Sequence, residues 1–588
     1  MRALSTARRQ TPAFLTAFPN GYRRTRAPRW PSRLTKTRRR FRSATWRSSG
    51  LPSATRRPSL VVSASSAAKP VAGWWFGLKR SAPAMVYGAS VSASDNRVVV
   101  VGSGPPGAAA AAFLARAGVR VLLLEAGLAD AAPGLTFRVA GVTVAKRKSP
   151  LQQRAGVTRT GDPNALLFEE LAPGGLSNHW SCAVPRFSEE DFEDAARAGA
   201  DQTWPVSYAD LAPWYDRVEP LLHIAGPSRS TSQLPASRAL FERELAEDWT
   251  GLAAHAERRG RSLVPMPYAY GADTTYTRSG TPFNSFVRLV EPELARGNID
   301  VRFGARVSQL EWSAAERRVT AVTYRDRQSG VEGRVPCRAV IVAGGALNTP
   351  QILLQSKSAD FPSGLGNTHG VLGRYLHDHP LGKVVIDVTR PISIYPASYL
   401  TRVALSRAAL PPLYAAACMQ WCSTTDLAKS VLRRHPKRLR QIGFSVFGTM
   451  KPSRNDYVTL DETYRGPDGA YGLELNIRHP PEAIPALEEA RDDMVAVLRE
   501  GGYEPQMSVW KVEEPGNSNH YAGSCRMHES PEFGMLNAWS RLHAVPNVAV
   551  ADSSVFTTNP EKNPVLTSMT LAARAADRLA QELKSGDL

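Results

Sequence analysis

Residues Arg97 to Gly127 read RVVVVGSGPPGAAAAAFLARAGVRVLLLEAG, and no other stretch restricts the fold as much. Four valines suit a strand buried on both faces, the alanine-rich run suits a helix, and VRVLLLE suits a second buried strand ending at Glu125. Between the first strand and the helix, Gly102, Gly104 and Gly107 form GxGxxG. Gly102 allows the tight turn, Gly104 lets the backbone approach a pyrophosphate, and Gly107 lets the helix lie close on the sheet. Pro105 and Pro106 fall in the first helical turn, where a missing amide hydrogen costs little. The positive end of that helix then faces the phosphates. Glu125 is placed to accept hydrogen bonds from an adenosine ribose. A glycine-rich turn alone is weak evidence, but strand, turn, helix and acid agree on a Rossmann-type dinucleotide-binding unit. The unit by itself leaves FAD and NAD both open.

Composition bounds the remainder. A chain of 588 residues, 43% hydrophobic, supports two sizeable domains with buried cores. Its formal net charge of +20 is unevenly spread: Met1 to Ser94 hold 19 Lys and Arg and no acid, leaving 54 basic and 53 acidic side chains from Asp95 onward. The near-neutral remainder removes the compositional case for a folded nucleic-acid-binding surface. Residues 1–94 are rich in Arg, Ser, Ala, Thr and Pro without a sustained period, so a disordered basic leader is expected. It is either an organellar transit peptide, with VVSASSAA at Val61 to Ala68 suited to processing, or mis-assigned coding sequence ahead of a true start at Met85. The first reading places the protein in an organelle, the second in the cytoplasm. Nucleic-acid binding through the tail is a minor alternative, marked by salt-sensitive affinity.

Five cysteines, Cys182, Cys337, Cys418, Cys422 and Cys525, are too few for a disulfide framework in so long a chain. No CxxC pair is present, and the thiols read as small buried hydrophobes. The longest apolar runs fall far short of the roughly 18 residues a membrane span needs, so no transmembrane helix is expected.

Near the C-terminus stand HYAGSCRM (His520 to Met527), VPNVAVADSSVF (Val545 to Phe556) and NPVLTSMTLAARAADRLA (Asn563 to Ala580). Together with the N-terminal fingerprint, these resemble the glucose-methanol-choline (GMC) family of FAD-dependent oxidoreductases over essentially Arg97 to Leu583. RAVIVAGGALNTPQILLQS (Arg338 to Ser356) and LGRYLHDHP (Leu372 to Pro380) resemble further segments of that family. LAPGGLSNHWSCAVPRF (Leu171 to Phe187) and EEPGNSNHYAGSCRM are similar to pyranose oxidases and related bacterial glycoside oxidases. The resemblance implies an α/β fold with a Rossmann-type FAD-binding domain over residues 95–187, 284–380 and 517–588. It also implies a discontinuous α+β substrate domain over 188–283 and 381–516, built on an antiparallel sheet.

Alcohol oxidation requires a group that removes the hydroxyl proton while hydride leaves the carbinol carbon, and histidine titrates in the right range. His520 lies in a Gly- and Ser-rich loop, and by resemblance it is that base. Asn563 precedes Pro564 at the start of the last helix; its side chain either caps the helix or, as the resemblance implies, holds the substrate oxygen or the flavin. The resemblance places His179 beside the flavin ring, as a possible covalent attachment point, although Asn178 stands before it where better-known members have threonine. It also places Gly175, Ser177, Trp180, Ser553, Pro564 and Thr567 around the cofactor. Asp552 ends the VAVAD strand and matches an acid near the flavin's ribityl and pyrophosphate groups; capping of the next turn is the plain alternative. Val307 matches a position whose backbone touches the adenine, and as a side chain it reads as core. His377 and His379 in HDHP lack further metal ligands, so no metal is expected.

In the second half, GKVVIDV (Gly382 to Val388), YAAACMQWC (Tyr414 to Cys422), QIGFSVFGTM (Gln441 to Met450), YVTLDETYRG (Tyr457 to Gly466) and YGLELNIR (Tyr471 to Arg478) read as strands of one sheet facing the flavin. A helix is expected from about Pro481 to Gly501. Phe444, at the start of a candidate substrate loop Phe444 to Met450, and Arg478 are candidate substrate contacts. The expected function is oxidation of a secondary alcohol of a pyranose or glycoside to a ketone, with dioxygen or a quinone-like compound as second acceptor. A non-sugar alcohol substrate, or a redox-silent lyase or binding protein on the same fold, are the alternatives; a homo-oligomer is left open.

Overall fold

The computed structural model describes residues 97–129, 151–227, 229–238, 241–269, 283–394, 396–405, 413–420 and 438–588, with the backbone alone at 136–139 and 142–145. The expected leader, with Val61 to Ala68 and Met85, and Cys422 lie outside the described residues. Strand β1 (Val98–Val101), helix α1 (Pro105–Arg116) and strand β2 (Val121–Glu125) form where the valine and leucine runs and the alanine-rich segment require them. They belong to a five-stranded parallel sheet in the order Ile299–Phe303, β2, β1, Ala339–Val342, Val548–Val550. The strand order reverses beside β1, so the Gly102 loop lies at the switch point where such sheets bind ligands. The last helix, Val565–Ser585, packs against α1 across a continuous alanine-rich surface.

Gly102 (φ +93°) and Gly107 are both enforced by contact: a Cβ at Gly102 stands 2.6 Å from the Ala343 carbonyl oxygen, and one at Gly107 stands 2.2 Å from that of Gly102. Gly104 differs, since its Cβ position has nothing within 4 Å.

A second sheet has six strands in the order Leu263–Pro265, Ser398–Leu400, Ala416–Gln420, Arg438–Gly448, Leu381–Ser393, Gln506–Val512, each antiparallel to its neighbours. One face carries Val384, Ile386, Cys418, Phe444 and Val446, buried against helices Glu247–Arg258 and Ala483–Glu500. Two of the strands expected in this sheet are elsewhere. Tyr457–Arg465 and Tyr471–Asn476 form a hairpin that adds in parallel to Val157–Arg159. Their apolar side chains Val458, Leu473 and Leu475 close a small separate core with Leu167, Leu347 and Leu376. That core draws the hairpin to residues assigned above to the nucleotide-binding half, away from the second sheet.

Among the described residues the four cysteines are free and buried, no helix is long and apolar enough to cross a membrane, and no His, Cys, Asp and Glu group is arranged to hold a metal.

Candidate active site

A cavity of about 530 Å³ is lined by Gly102 to Pro106, Glu125, Gly175, Ser177, His179, Trp180, Val307, Asp552, Ser553, His520, Asn563 and Pro564. Segments separated by more than 400 residues thus meet on one space. At its first wall the Glu125 carboxylate accepts hydrogen bonds from the Ser103 amide (3.0 Å), the Ser103 hydroxyl and the Gly127 amide (2.6 Å). Burial pushes its carboxyl up despite these donors. Ser103 Oγ in turn accepts from the Gly174 amide at 2.9 Å, tying the glycine loop to the 174–179 segment. There, left-handed Gly174 and Gly175 begin a short turn, Gly175–Asn178, that delivers His179. Asn178 pins this turn: its Nδ2 donates to the Pro173 and Gly175 carbonyls, and its Oδ1 accepts from Asn284 at 2.9 Å. His179 Nε2 contacts the Glu170 carboxylate, a partner the sequence reading missed.

Asp552 caps the next turn and also stands at the cavity wall. Its Oδ1 accepts from the Ser554 amide (2.8 Å), capping the turn that follows, and its Oδ2 accepts from Gly345 N (2.9 Å) and Thr349 Oγ1 (2.6 Å) at the cavity wall. Asn563 is no helix cap. The helix begins two residues later, Pro564 occupies the cap position, and the Asn563 amide lies 3.3 Å from His520 Nε2.

His520 is fixed from several sides. Asp378 accepts from its amide at 2.9 Å and also from Gly516 N and Ser518 Oγ, which sets the loop. Asn559 Nδ2 donates to its carbonyl at 3.0 Å. Its ring stacks on Phe447, centroids 5.3 Å apart and planes at 28°, and Nδ1 lies 2.9 Å from His379 Nδ1. With the Asn563 amide nitrogen donating to His520 Nε2, the His520 proton belongs on Nδ1 and is donated to His379 Nδ1, while His379 Nε2 is buried without a hydrogen-bond partner among the described residues. His520 Nε2 is then left with its lone pair, facing the Asn563 amide. Burial, and then the neighbouring His379, hold the His520 imidazole well below its usual range, while burial lowers His379 to about 4 and raises Asp378 to about 6. His379 and Asp378 belong to the LGRYLHDHP segment, whose resemblance to the family's flavin-edge segment gives neither residue a role of its own.

Three candidates do not reach the cavity. Thr567 lies in the first turn of the helix on the side away from it and hydrogen-bonds Tyr215 at 2.7 Å, while Val565 and Ser568, one turn apart, line it. Phe444 is fully buried on the opposite sheet face, edge-on to Trp249 at 6.2 Å. Strand alternation gives the cavity Ser445 and Phe447 instead, beside their cross-strand neighbours Met419 and Leu381. Arg478 follows the displaced hairpin, is exposed, and donates to the Thr160 carbonyl at 3.3 Å.

The open Gly104 surface at a helix N-terminus and the buried acid beyond it fit a dinucleotide, and the cavity continues from them to a histidine whose free nitrogen faces an amide. These features define a dinucleotide-binding enzyme of the α/β class. Family comparison identifies the dinucleotide and the class of reaction: GMC oxidoreductase domains match residues 174–381 and 452–572, and an FAD-binding domain matches 95–138. The chain belongs to the GMC oxidoreductase family, uses FAD and acts on CH–OH groups of alcohols or sugars. It is 26% identical to 2-methyl-1,2-propanediol dehydrogenase of Mycolicibacterium austroafricanum, covering 84% of this chain and 96% of that one. It is 27% identical to C-glycoside 3-oxidase of Arthrobacter globiformis, covering 72% and 76%. Pyridoxine 4-oxidase from Mesorbium loti shares the fold, with a TM-score of 0.57 at 16% identity over 82% of this chain and 98% of that one.

Proposed function

We propose that the enzyme oxidises a secondary alcohol of a pyranose sugar or glycoside to a ketone, with dioxygen or a quinone-like compound as the final acceptor. Bound FAD supplies the hydride acceptor. His520 Nε2 takes the hydroxyl proton, and the Asn563 amide donates to the substrate oxygen as negative charge gathers there. Phe447 and His379 hold the imidazole plane, and Asp378 holds the loop that carries it. The contact of His520 Nε2 with Asn563 Nδ2, 3.3 Å at the cavity wall, carries this reading, because a free imidazole nitrogen beside an amide donor is the pair that alcohol deprotonation needs.

The Glu125 loop and α1 hold the adenosine and diphosphate portions, and residues 95–187, 284–380 and 517–588 supply most of this half. The antiparallel sheet, through Leu381, Met419, Ser445 and Phe447, forms the substrate side. His179 would stand beside a bound flavin ring without a covalent bond to it, a reading supported by the engagement of its Nε2 with Glu170. Acid precipitation decides this: colour in the supernatant supports it, and colour retained in the pellet overturns it.

A non-sugar alcohol is the second reading, favoured by the mostly apolar Leu381, Met419 and Phe447 and by the similarity to a propanediol dehydrogenase. Anaerobic flavin bleaching across free sugars, glycosides and simple diols separates the two. Bleaching by diols alone would overturn the sugar assignment.

A further inference from the structure

The Asn563 side chain has one hydrogen bond among the described residues, the 3.3 Å contact with His520 Nε2, so its amide points where the backbone of residues 562–564 directs it. On one side Pro564 restricts that backbone, since its ring fixes φ at the cap of the last helix. On the other stands Lys562, whose side chain is 0% exposed. Its ammonium donates to Asp191 Oδ1 and Oδ2 at 2.7 and 2.8 Å and to Glu561 Oε1 at 3.2 Å, so its three protons meet three oxygens. Asp191 is in turn fixed at the start of helix α2 (Glu189–Ala198), where its Oδ2 also accepts from the Ser188 amide at 2.6 Å. Arg402, 2% exposed, ties the same turn to the same helix, 3.5 Å from Glu561 and 2.8 Å from Asp194.

The near end of the turn is held as well. Trp204 Nε1 donates to Thr558 Oγ1 at 2.8 Å, and Asn559 Nδ2 donates to the His520 carbonyl at 3.0 Å. One short stretch, residues 558–563, therefore carries the Asn563 amide, grips the backbone of His520 and is anchored to α2 by buried ions. Ions buried in this way cost stability unless their geometry is tightly satisfied, and an apolar contact would hold the turn at least as well. What an apolar contact lacks is direction. A methylene that slips by about 1 Å keeps most of its contacts, whereas an ammonium that slips leaves buried oxygens unpaired.

We propose that the buried Lys562–Asp191 pair positions Asn563, fixing the backbone from which its amide reaches the substrate oxygen in register with His520. Lys562, Asp191, Glu561 and Arg402 do not line the cavity, so they act through Asn563 and are positioning residues. The inference rests on the role given to Asn563 above. Because the amide donates to an oxygen whose charge grows only in the transition state, loosening it slows the step without weakening donor binding.

A double-mutant cycle on the FAD-loaded enzyme tests this, read by anaerobic stopped-flow reduction with the best donor of the sugar, glycoside and diol panel. Lys562→Met keeps most of the side-chain length and removes its charge. It should lower the limiting reduction rate about tenfold or more, with the donor's dissociation constant within about twofold of wild type. In the Asn563→Ala background the same substitution should cost less than about twofold, because the group it positions is gone. An equal loss in both backgrounds, a loss in donor binding alone, or a wild-type rate in Lys562→Met overturns the proposal. A wild-type rate in Asn563→Ala overturns instead the role of Asn563 on which it rests. Should Lys562→Met fail to load FAD, Asp191→Asn combined with Lys562→Met removes the pair without stranding the Asp191 charge and is expected to show the same loss. A wild-type rate there, or no FAD in either variant, overturns the proposal.

Discussion

Gly104 and Gly107 stand three residues apart in one motif, yet the structure predicts opposite consequences for adding a methyl group. At Gly107 the new Cβ stands 2.2 Å from the Gly102 carbonyl oxygen and 2.9 Å from Ala343 Cβ, where ordinary contact begins at 3.4 Å. The obstacle is backbone on one side and a strand end on the other, so α1 must move by about 1 Å. Overpacking of this kind costs about 1–3 kcal/mol, against about 1 kcal/mol gained from the better helix propensity of alanine. Gly107→Ala should lower the unfolding temperature of FAD-free protein. At Gly104 the Cβ meets nothing within 4 Å, so the FAD-free protein loses at most about 1 kcal/mol from a poorer helix cap. The methyl group instead fills the surface the diphosphate must approach. A ligand at a hundred times its dissociation constant stabilises a protein by about 2.7 kcal/mol, and a tenfold weaker fit removes about half of that. The assay is thermal unfolding of each variant with and without added FAD. Gly104→Ala should keep the FAD-free transition and show a much smaller rise with FAD. A full wild-type rise would refute the placement of the diphosphate over Gly104.

Two further outcomes follow from the second wall of the cavity. The neutral imidazole is the active form of His520, and burial holds its titration well below 6.5, so activity is present above that depressed value and lost only as pH falls through it. Anaerobic flavin reduction should therefore stay flat from pH 8 to below 6.5, and a limb centred at 6.5 or higher would contradict the burial argument. Phe447 and Phe444 face opposite sides of one strand: Phe447→Ala should slow flavin reduction about tenfold or more with the fold intact, by freeing the His520 ring. Phe444→Ala should lower stability by about 3–5 kcal/mol with little direct effect on a folded active site, and the reverse pattern in thermal melts and stopped-flow traces would place the cavity on the other face.

The nucleotide-binding half was legible because its demands are local. GxGxxG, the buried valines and Glu125 each report a backbone or packing constraint within about thirty residues, and the structure repeats them residue by residue. The second half was legible only as strands. Alternation identifies the two faces of Arg438–Gly448 but not which one meets the cavity, so within the expected substrate segment Phe444 to Met450 it does not separate Phe444 from Phe447. The hairpin of residues 457–476 has an alternating pattern that suits either sheet; its place was decided by Leu167, Leu347 and Leu376, remote in sequence. His379 carries no local signal of its role, because its partner is another histidine 141 residues away. Glu170, Lys562 and Arg402 carry no local signal, since a buried charge in sequence looks the same as an exposed one.

The central claim is that His520 removes the substrate proton, and stopped-flow reduction of the FAD-loaded His520→Ala enzyme under anaerobic conditions tests it most directly. With the best alcohol donor from the panel, the account predicts flavin still bound and its reduction slowed by about a hundredfold or more. Reduction at the wild-type rate would contradict it.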